Sequence, residues 1–164
     1  MNTSPQRGPK QMPIVIPPIV PLRVLVVDDS RSFGDLAVAL LEREPSVDVV
    51  GIARSGAEAL ESVVALQPDV VLMDVQMSPM SGLTAASLIR WMFPQSSVVM
   101  MSSDDSPRLR AECVASGAAA FIHKPQFIAE FLTAVGPIVR DVVSRRRFAV
   151  EIAARNQRAV ATAR

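Results

Sequence analysis

The sequence predicts an α/β fold in which five parallel β-strands form one sheet with helices on both of its faces. A short apolar run followed by a helical pattern occurs five times in succession after residue 21. The apolar runs do not alternate with polar residues, which is typical of strands buried on both faces. Aromatic residues make up only 4% of the chain, so aliphatic side chains and methionines fill the core, as suits a layered α/β architecture.

Each of the five units can be placed along the chain. The first strand is the β-branched run Leu22–Val27, which ends abruptly at Asp28, and the segment after it carries apolar residues at helical spacing. The later units repeat this order of an apolar run and then a helical segment. We predict strands at residues 22–27, 47–53, 69–73, 97–101 and 119–122. We predict helices at residues 32–44, 56–66, 83–92 and 107–116, and a fifth helix from about residue 127.

The two ends of the chain are basic, whereas the body between them is acidic. Residues 1–21 contain six prolines, and because proline fixes φ and lacks an amide hydrogen, we predict an extended, disordered leader there. The folded body is predicted to span residues 22–143. Residues 144–164 are predicted to form a basic helical or flexible tail, and Gly136-Pro137 is expected to kink or restart the fifth helix. The acidic body points to a functional site rich in carboxylates.

The composition also limits the class of protein. No apolar run approaches the roughly 20 residues that cross a bilayer, and prolines interrupt the apolar stretch near the N-terminus. We therefore predict a cytoplasmic protein without membrane insertion. The single cysteine, Cys113, cannot form an internal disulfide and agrees with a reducing compartment. Its helical spacing from Leu109 predicts a packed helix residue.

Several polar residues stand directly after the predicted strands: Asp28, Asp29, Asp74, Ser102 and Lys124. Parallel strands end at one edge of a sheet, and ligands of such sheets bind there, so we expect these side chains to lie together. Three carboxylates at close range repel one another without a cation, and Mg²⁺ prefers oxygen ligands. Lys124 and the Ser102 hydroxyl can contact phosphate oxygens, and Asp74 can act as a nucleophile that forms an acyl phosphate.

These residues resemble the receiver domain of two-component response regulators, from about residue 23 to residue 140. The resemblance implies a flavodoxin-like (βα)5 fold with strand order 2-1-3-4-5. It also implies a signalling switch that works by Mg²⁺-dependent phosphoryl transfer. The motifs that carry it are Val-Val-Asp28-Asp29-Ser30, Val-Leu-Met-Asp74-Val-Gln-Met, Gly82, Met-Met-Ser102-Ser, and Lys124-Pro125 after Gly117-Ala118.

The resemblance implies a role for each residue of the site. Asp74 would accept the phosphoryl group, and Asp28 and Asp29 would hold Mg²⁺ together with Asp74 and the backbone carbonyl of Gln76. Lys124 would form an ion pair with the phosphoryl group.

Ser102 would turn toward a phosphoryl oxygen, and Phe121 would be the aromatic side chain that moves with it. The bond before Pro125 would be cis. The loop before Gly82 departs from the family, because Ser78 precedes Pro79 and Ser81 precedes the glycine.

Simpler explanations exist for some of these residues. Asp28 and Asp29 would also suit the N-cap of a helix. Lys124 would also suit an exposed loop. His123, the only histidine, precedes Lys124 on an alternating strand and is therefore expected to point away from the site.

The resemblance implies a phosphoryl donor, either a sensor histidine kinase or a phosphotransfer protein, and a downstream protein effector. Only 40 residues follow Lys124, so a separate effector module is not expected, and the chain is not predicted to be an enzyme beyond its own phosphoryl transfer and dephosphorylation. The tail would contact a partner protein or a second copy of the chain. The alternatives are a receiver-like scaffold that works without phosphorylation, and a DNA-binding regulator. The second is less favoured because only Phe148 could stack on bases in the Arg-rich tail.

Overall fold

The computed structural model describes residues 21–162, without the side chains of residue 154 and residues 156–162. Within these residues five strands and five α-helices alternate, and the strands form one parallel sheet in the order β2-β1-β3-β4-β5, as predicted. The strands are β1 (Leu22–Val27), β2 (Val47–Ala53), β3 (Val70–Asp74), β4 (Ser97–Ser102) and β5 (Ala120–His123). The helices are α1 (Arg31–Leu41), α2 (Gly56–Leu66), α3 (Gly82–Met92), α4 (Pro107–Ala115) and α5 (Phe127–Thr162), with a short 3₁₀ turn over Lys124–Gln126.

The alternation of side chains along each strand builds two cores, one on each face of the sheet. In β1, Val24 and Val26 pack with α1 and α5, whereas Leu25 and Val27 pack with α2, α3 and α4. The free Cys113 of α4 is buried in the second core, in agreement with the prediction for it.

Burial differs between the central and the outer strands. All of β3 and nearly all of β1 and β4 are buried, whereas β2 and β5 are mostly half-buried. The prediction that every strand is buried on both faces is therefore correct for the three central strands only. The two outer strands have a neighbour on one side, which leaves part of their surface uncovered.

Serine side chains define where four of the helices begin. Ser30, Ser55, Ser81 and Ser106 are the N-caps of α1 to α4, and each hydroxyl accepts a hydrogen bond from a backbone amide in the first turn. These caps place the start of each helix just beyond the C-terminal end of a strand. They therefore also fix the loops that carry the candidate site residues.

The fifth helix differs most from its prediction. It continues through Gly136 and Pro137 to Thr162 without restarting. Residues 1–20, where the disordered leader is predicted, lie outside the described residues. Among the residues that are described, no helix combines the length and apolarity that a membrane span requires.

Two arginines tie the extended part of α5 to the N-terminal edge of the sheet. Arg146 Nη2 lies 2.5 Å from Asp69 Oδ2, and the same oxygen accepts a hydrogen bond from the Arg23 amide at 2.8 Å. Arg145 Nη1 donates to the carbonyl oxygen of Gln95 at 3.0 Å. The domain boundary at residue 143 stays a prediction, and these contacts lie beyond it.

We expect the replacement Arg146→Ala to lower the free energy of unfolding by about 1–2 kcal/mol, because it leaves the mostly buried Asp69 carboxylate without its charged partner. Urea unfolding of the full chain measures this loss. The neighbouring Arg147 is exposed, so Arg147→Ala is the matched control and should change stability by less than about 0.5 kcal/mol. Equal stability of the two variants would show that the ion pair does not hold α5 to the sheet.

Candidate functional site

Three carboxylates meet at the C-terminal edge of the sheet. Val27 of β1 pairs with Met73 of β3, so the residues that follow them, Asp28 and Asp74, lie side by side. One carboxylate oxygen from each of Asp28, Asp29 and Asp74 lies within 4.8 Å of the other two. Asp28 is fully buried and Asp74 is 5% exposed, whereas Asp29 faces solvent. The predicted convergence of the acidic pair with Asp74 is therefore present in the structure.

Lys124 reaches this cluster from the end of β5. Its Nζ lies 2.6 Å from Asp28 Oδ2 and 3.0 Å from Asp74 Oδ1, and its side chain is only 11% exposed. The same Nζ lies 4.5 Å from the centre of the Phe33 ring, which shields one side of the ammonium group from water. Lys124 is thus a mostly buried partner of two acids, and the exposed-loop alternative for it is wrong.

The site has more negative charge than its own cation neutralises, because three carboxylates lie close together and the one ammonium group beside them pairs with two. Burial raises the pKa of the Asp74 carboxyl, and the nearby Asp28 adds to this effect, while Lys124 and the Gln76 amide oppose it. Asp28 Oδ1 accepts the Ser30 amide at 2.9 Å. Asp28 Oδ2 has the Lys124 charge close by but no donor aligned for a hydrogen bond.

This donor set fits a hard divalent cation. All available ligand atoms are oxygens, one of them lacks an aligned donor, and the exposed Asp29 leaves an open side for water ligands. The structure therefore contains an acidic cluster whose oxygen ligands suit an ion of this kind.

Ser102 ends β4 next to the carboxylates and is 1% exposed. Its Oγ accepts a hydrogen bond from the Asp104 amide at 3.0 Å. The strand pairing places Asp74 beside Met101, so Ser102 lies one residue further along the same edge. A change in the Ser102 rotamer would have to break its contact with the loop that follows.

Phe121 of β5 is half-buried and lies under an arginine that the sequence did not single out. The guanidinium carbon of Arg110 lies 4.4 Å from the centre of the Phe121 ring, and Arg110 also pairs with Asp105. Asp105 belongs to the loop between β4 and α4, the same loop that contacts Ser102. The ring of Phe121 and the loop after Ser102 therefore share one arginine.

Other expectations can be compared with the structure. The N-cap of α1 is Ser30, so the interpretation of the acidic pair as that cap is wrong. His123 Nε2 lies 3.2 Å from the carbonyl oxygen of Ser103, on the loop after Ser102. The cis peptide bond within the described residues is Ser78-Pro79, and the implied cis bond before Pro125 is not present. Gln76 is exposed, and the role of its carbonyl stays a prediction.

Arg54, which the sequence analysis missed, also contacts the acidic loop. It follows β2, and its Nη1 lies 3.3 Å from each of the carbonyl oxygens of Asp28 and Ser30. The sequence contains an indirect signal, because Gly34 interrupts an otherwise good helical pattern and so indicates that some group approaches the helix closely there. A Cβ atom at Gly34 would lie only 2.3 Å from Arg54 Nη1.

The comparisons with known proteins agree with this geometry. The model of the response regulator receiver domain matches residues 24–136. The chain belongs to the response regulator receiver family. It therefore carries a receiver domain, the phosphorylation-dependent signalling switch of two-component systems.

Similar proteins with this receiver domain are known as sequences and as structures. The chain is 38% identical over 106 residues to a protein-glutamate methylesterase/protein-glutamine glutaminase of Thermotoga maritima, a match that covers 63% of this chain and 30% of that protein. The response regulator domain of Thermotoga maritima CheB is 30% identical with a TM-score of 0.67, over 74% of this chain and 98% of that domain. A CheX–CheY–BeF3–Mg complex from Borrelia burgdorferi gives 29% identity and a TM-score of 0.65, over 73% and 90% of the two chains. The chain thus spans about a third of the curated relatives that it matches.

Proposed function

We propose that Asp74 accepts a phosphoryl group in a reaction that requires Mg²⁺, and that this modification changes how the chain contacts a partner protein. The observation that carries the proposal is the convergence of Asp28, Asp29 and Asp74 within 4.8 Å, with Lys124 in contact with two of them. Asp28, Asp29 and Asp74 would hold the ion, helped by the Gln76 carbonyl. The neighbour from Borrelia burgdorferi, described with BeF3 and Mg, supports this assignment.

The chemistry follows from the carboxylate of Asp74. One of its oxygens attacks the phosphorus of the donor, an O–P bond forms, and the bond from phosphorus to the donor breaks with its electron pair remaining on the donor. Burial raises the pKa of the Asp74 carboxyl and makes this oxygen more basic, whereas the nearby Lys124 opposes that effect. Lys124 then pairs with a phosphoryl oxygen. When bound, Mg²⁺ supplies the positive charge that offsets the carboxylates and the phosphoryl oxygens.

Phosphorylation is proposed to act on the rest of the domain through Ser102 and Phe121. The Ser102 hydroxyl would leave the Asp104 amide and donate to a phosphoryl oxygen, which frees the loop after β4. Arg110 pairs with Asp105 of that loop and also stacks on the Phe121 ring, so a movement of the loop would shift the arginine that covers this ring. The surface around Phe121 and α4 is therefore the proposed place where a partner protein senses the modification.

We propose a sensor histidine kinase or a phosphotransfer protein as the donor, a downstream protein as the effector, and the cytoplasm as the location. We do not propose methylesterase activity for this chain, because the region in which it resembles these relatives corresponds to their receiver domain. Arg145 and Arg146 contact the body of the domain, which does not favour a DNA-binding tail.

The proposal predicts that the full chain gains the mass of one phosphoryl group when it is incubated with a small phosphodonor and MgCl₂. Mass spectrometry of the intact protein measures the gain, and hydroxylamine should remove the group because it is an acyl phosphate. Excess chelator in place of MgCl₂ is the control and should prevent the gain. The proposal is wrong if neither small donors nor a phosphorylated kinase modify the chain.

A further inference from the structure

Arg54 holds the loop that carries the acidic pair. It stands just after β2, the strand next to β1, and so reaches the C-terminal edge of the sheet where the carboxylates meet. Its Nη1 donates to the carbonyl oxygens of Asp28 and Ser30, each at 3.3 Å. These two carbonyls flank Asp29, so the guanidinium group is hydrogen-bonded to the backbone on both sides of this exposed carboxylate.

The charge of Arg54 is neutralised on its other side. Arg54 Nη2 lies 2.7 Å from Asp35 Oδ1 of α1, and the arginine side chain is 31% exposed. A bare cation at this place would compete with a metal ion for the same acids. Because Asp35 balances it, the guanidinium group can fix the loop without adding net charge beside the site.

Gly34 provides the space that this arrangement needs. Gly34 is a buried residue within α1, where glycine is a poor helix former. A Cβ atom added there would lie 2.3 Å from Arg54 Nη1 and 3.3 Å from Arg54 Cζ, and the third nearest atom also belongs to this guanidinium group. The absence of a side chain at Gly34 therefore leaves the space through which the Arg54 side chain crosses the helix.

We propose that Arg54, neutralised by Asp35 and given room by Gly34, is a positioning residue that sets the Mg²⁺ affinity of the acidic site. The physical reason is repulsion, since Asp28, Asp29 and Asp74 separate if the loop is free to open before a cation binds. Two hydrogen bonds to the loop backbone oppose that opening and keep the ligand oxygens close. The inference rests on the proposed Mg²⁺ site and adds residues that determine its strength.

The test compares Mg²⁺ affinities of the full chain, obtained by MgCl₂ titration of the ¹⁵N-labelled protein while the amide resonances are followed. We expect Gly34→Ala and Arg54→Ala to weaken Mg²⁺ binding by about tenfold, as is usual when a residue that orients metal ligands is lost. Arg54→Lys, which keeps the charge with fewer donors, should give an intermediate loss. Arg108→Ala on α4 is the charge-matched control, because its side chain is 89% exposed, and it should bind Mg²⁺ like the wild type.

Thermal unfolding without Mg²⁺ separates positioning from general damage. In Gly34→Ala the new methyl group displaces only the far end of a flexible side chain, and alanine favours the helix, so the melting temperature should not fall. Weaker Mg²⁺ binding in a variant of unchanged stability is a result that a merely structural role would not produce. If Gly34→Ala does not fold, the two Arg54 variants decide.

Unchanged or tighter Mg²⁺ binding in Gly34→Ala and Arg54→Ala would overturn the inference, and tighter binding would show that the charge of Arg54 repels the ion. A wild-type chain that binds no Mg²⁺ would contradict the proposed function itself. These two failures are distinguishable because the second appears before any variant is made.

Discussion

Replacement of Asp74 with asparagine is expected to abolish phosphoryl uptake. Asparagine has nearly the same shape, so it fits the buried end of β3, but its amide has no anionic oxygen to attack phosphorus. The intact mass of Asp74→Asn should stay unchanged under conditions in which the wild type gains one phosphoryl group. Asp48→Asn is the matched control, because Asp48 is an exposed carboxylate on β2, and this variant should be modified like the wild type.

The raised pKa of Asp74 also predicts how the stability of Asp74→Asn compares with that of the wild type at different pH values. Burial raises this pKa in the folded chain, so the folded state binds the proton more readily than the unfolded state does. The contribution of Asp74 to wild-type stability therefore falls as the pH rises from the ordinary carboxyl range through the raised pKa. Without Mg²⁺, we expect Asp74→Asn to be at least as stable as the wild type at neutral pH, with a smaller difference in acid.

Urea unfolding at several pH values measures this difference. A folded Asp74→Asn that still gains a phosphoryl group would place the phosphoacceptor elsewhere, whereas loss of uptake in a folded variant supports Asp74. An unstable variant at neutral pH would contradict the direction of the pKa.

The sheet and the acidic cluster could be predicted because both depend on local patterns. Each strand is a mainly apolar run, and each of the first four helices begins at a serine cap, so the predicted boundaries coincide with the observed ones or differ by one residue, except at the C-terminal end of α1. Once the strands are parallel, their last residues must share one edge. Asp28, Asp74 and Lys124 then meet without any further information.

The contacts that escaped prediction join residues far apart in the sequence. Arg146 pairs with Asp69 over a separation of 77 residues, and Arg54 crosses to a loop 24 residues before it. Arginine side chains are long, and nothing in the residues around Arg54 or Arg146 tells which acid or carbonyl each one reaches. The continuation of α5 through Pro137 was not predicted either, because it also depends on distant contacts. The packing of Val135, Ile138 and Val142 on the sheet overrides the local preference for a helix break.

Replacement of Gly82 with alanine is expected to lower the free energy of unfolding by about 3 kcal/mol or more. Gly82 begins α3, and a Cβ atom there would lie 1.8 Å from the backbone oxygen of Asp74 and 3.1 Å from the Cα of Val75. Both neighbours are backbone atoms, so no side chain can move aside. The Gly82 amide also donates to the Val75 carbonyl at 3.0 Å, so the methyl group would push apart a loop that is closed by this bond.

The matched control is Gly136→Ala, because a Cβ atom at Gly136 would meet nothing within 4 Å. Alanine there should stabilise α5 by about 0.5–1 kcal/mol, the usual difference between the two residues inside a helix. If α3 approaches β3 this closely, urea unfolding should show a lower free energy of unfolding for Gly82→Ala and a higher one for Gly136→Ala than for the wild type. Because the clash falls on Asp74 itself, any folded Gly82→Ala protein should also accept phosphoryl groups more slowly than the wild type. Stability and uptake like those of the wild type would mean that α3 does not approach the Asp74 backbone this closely.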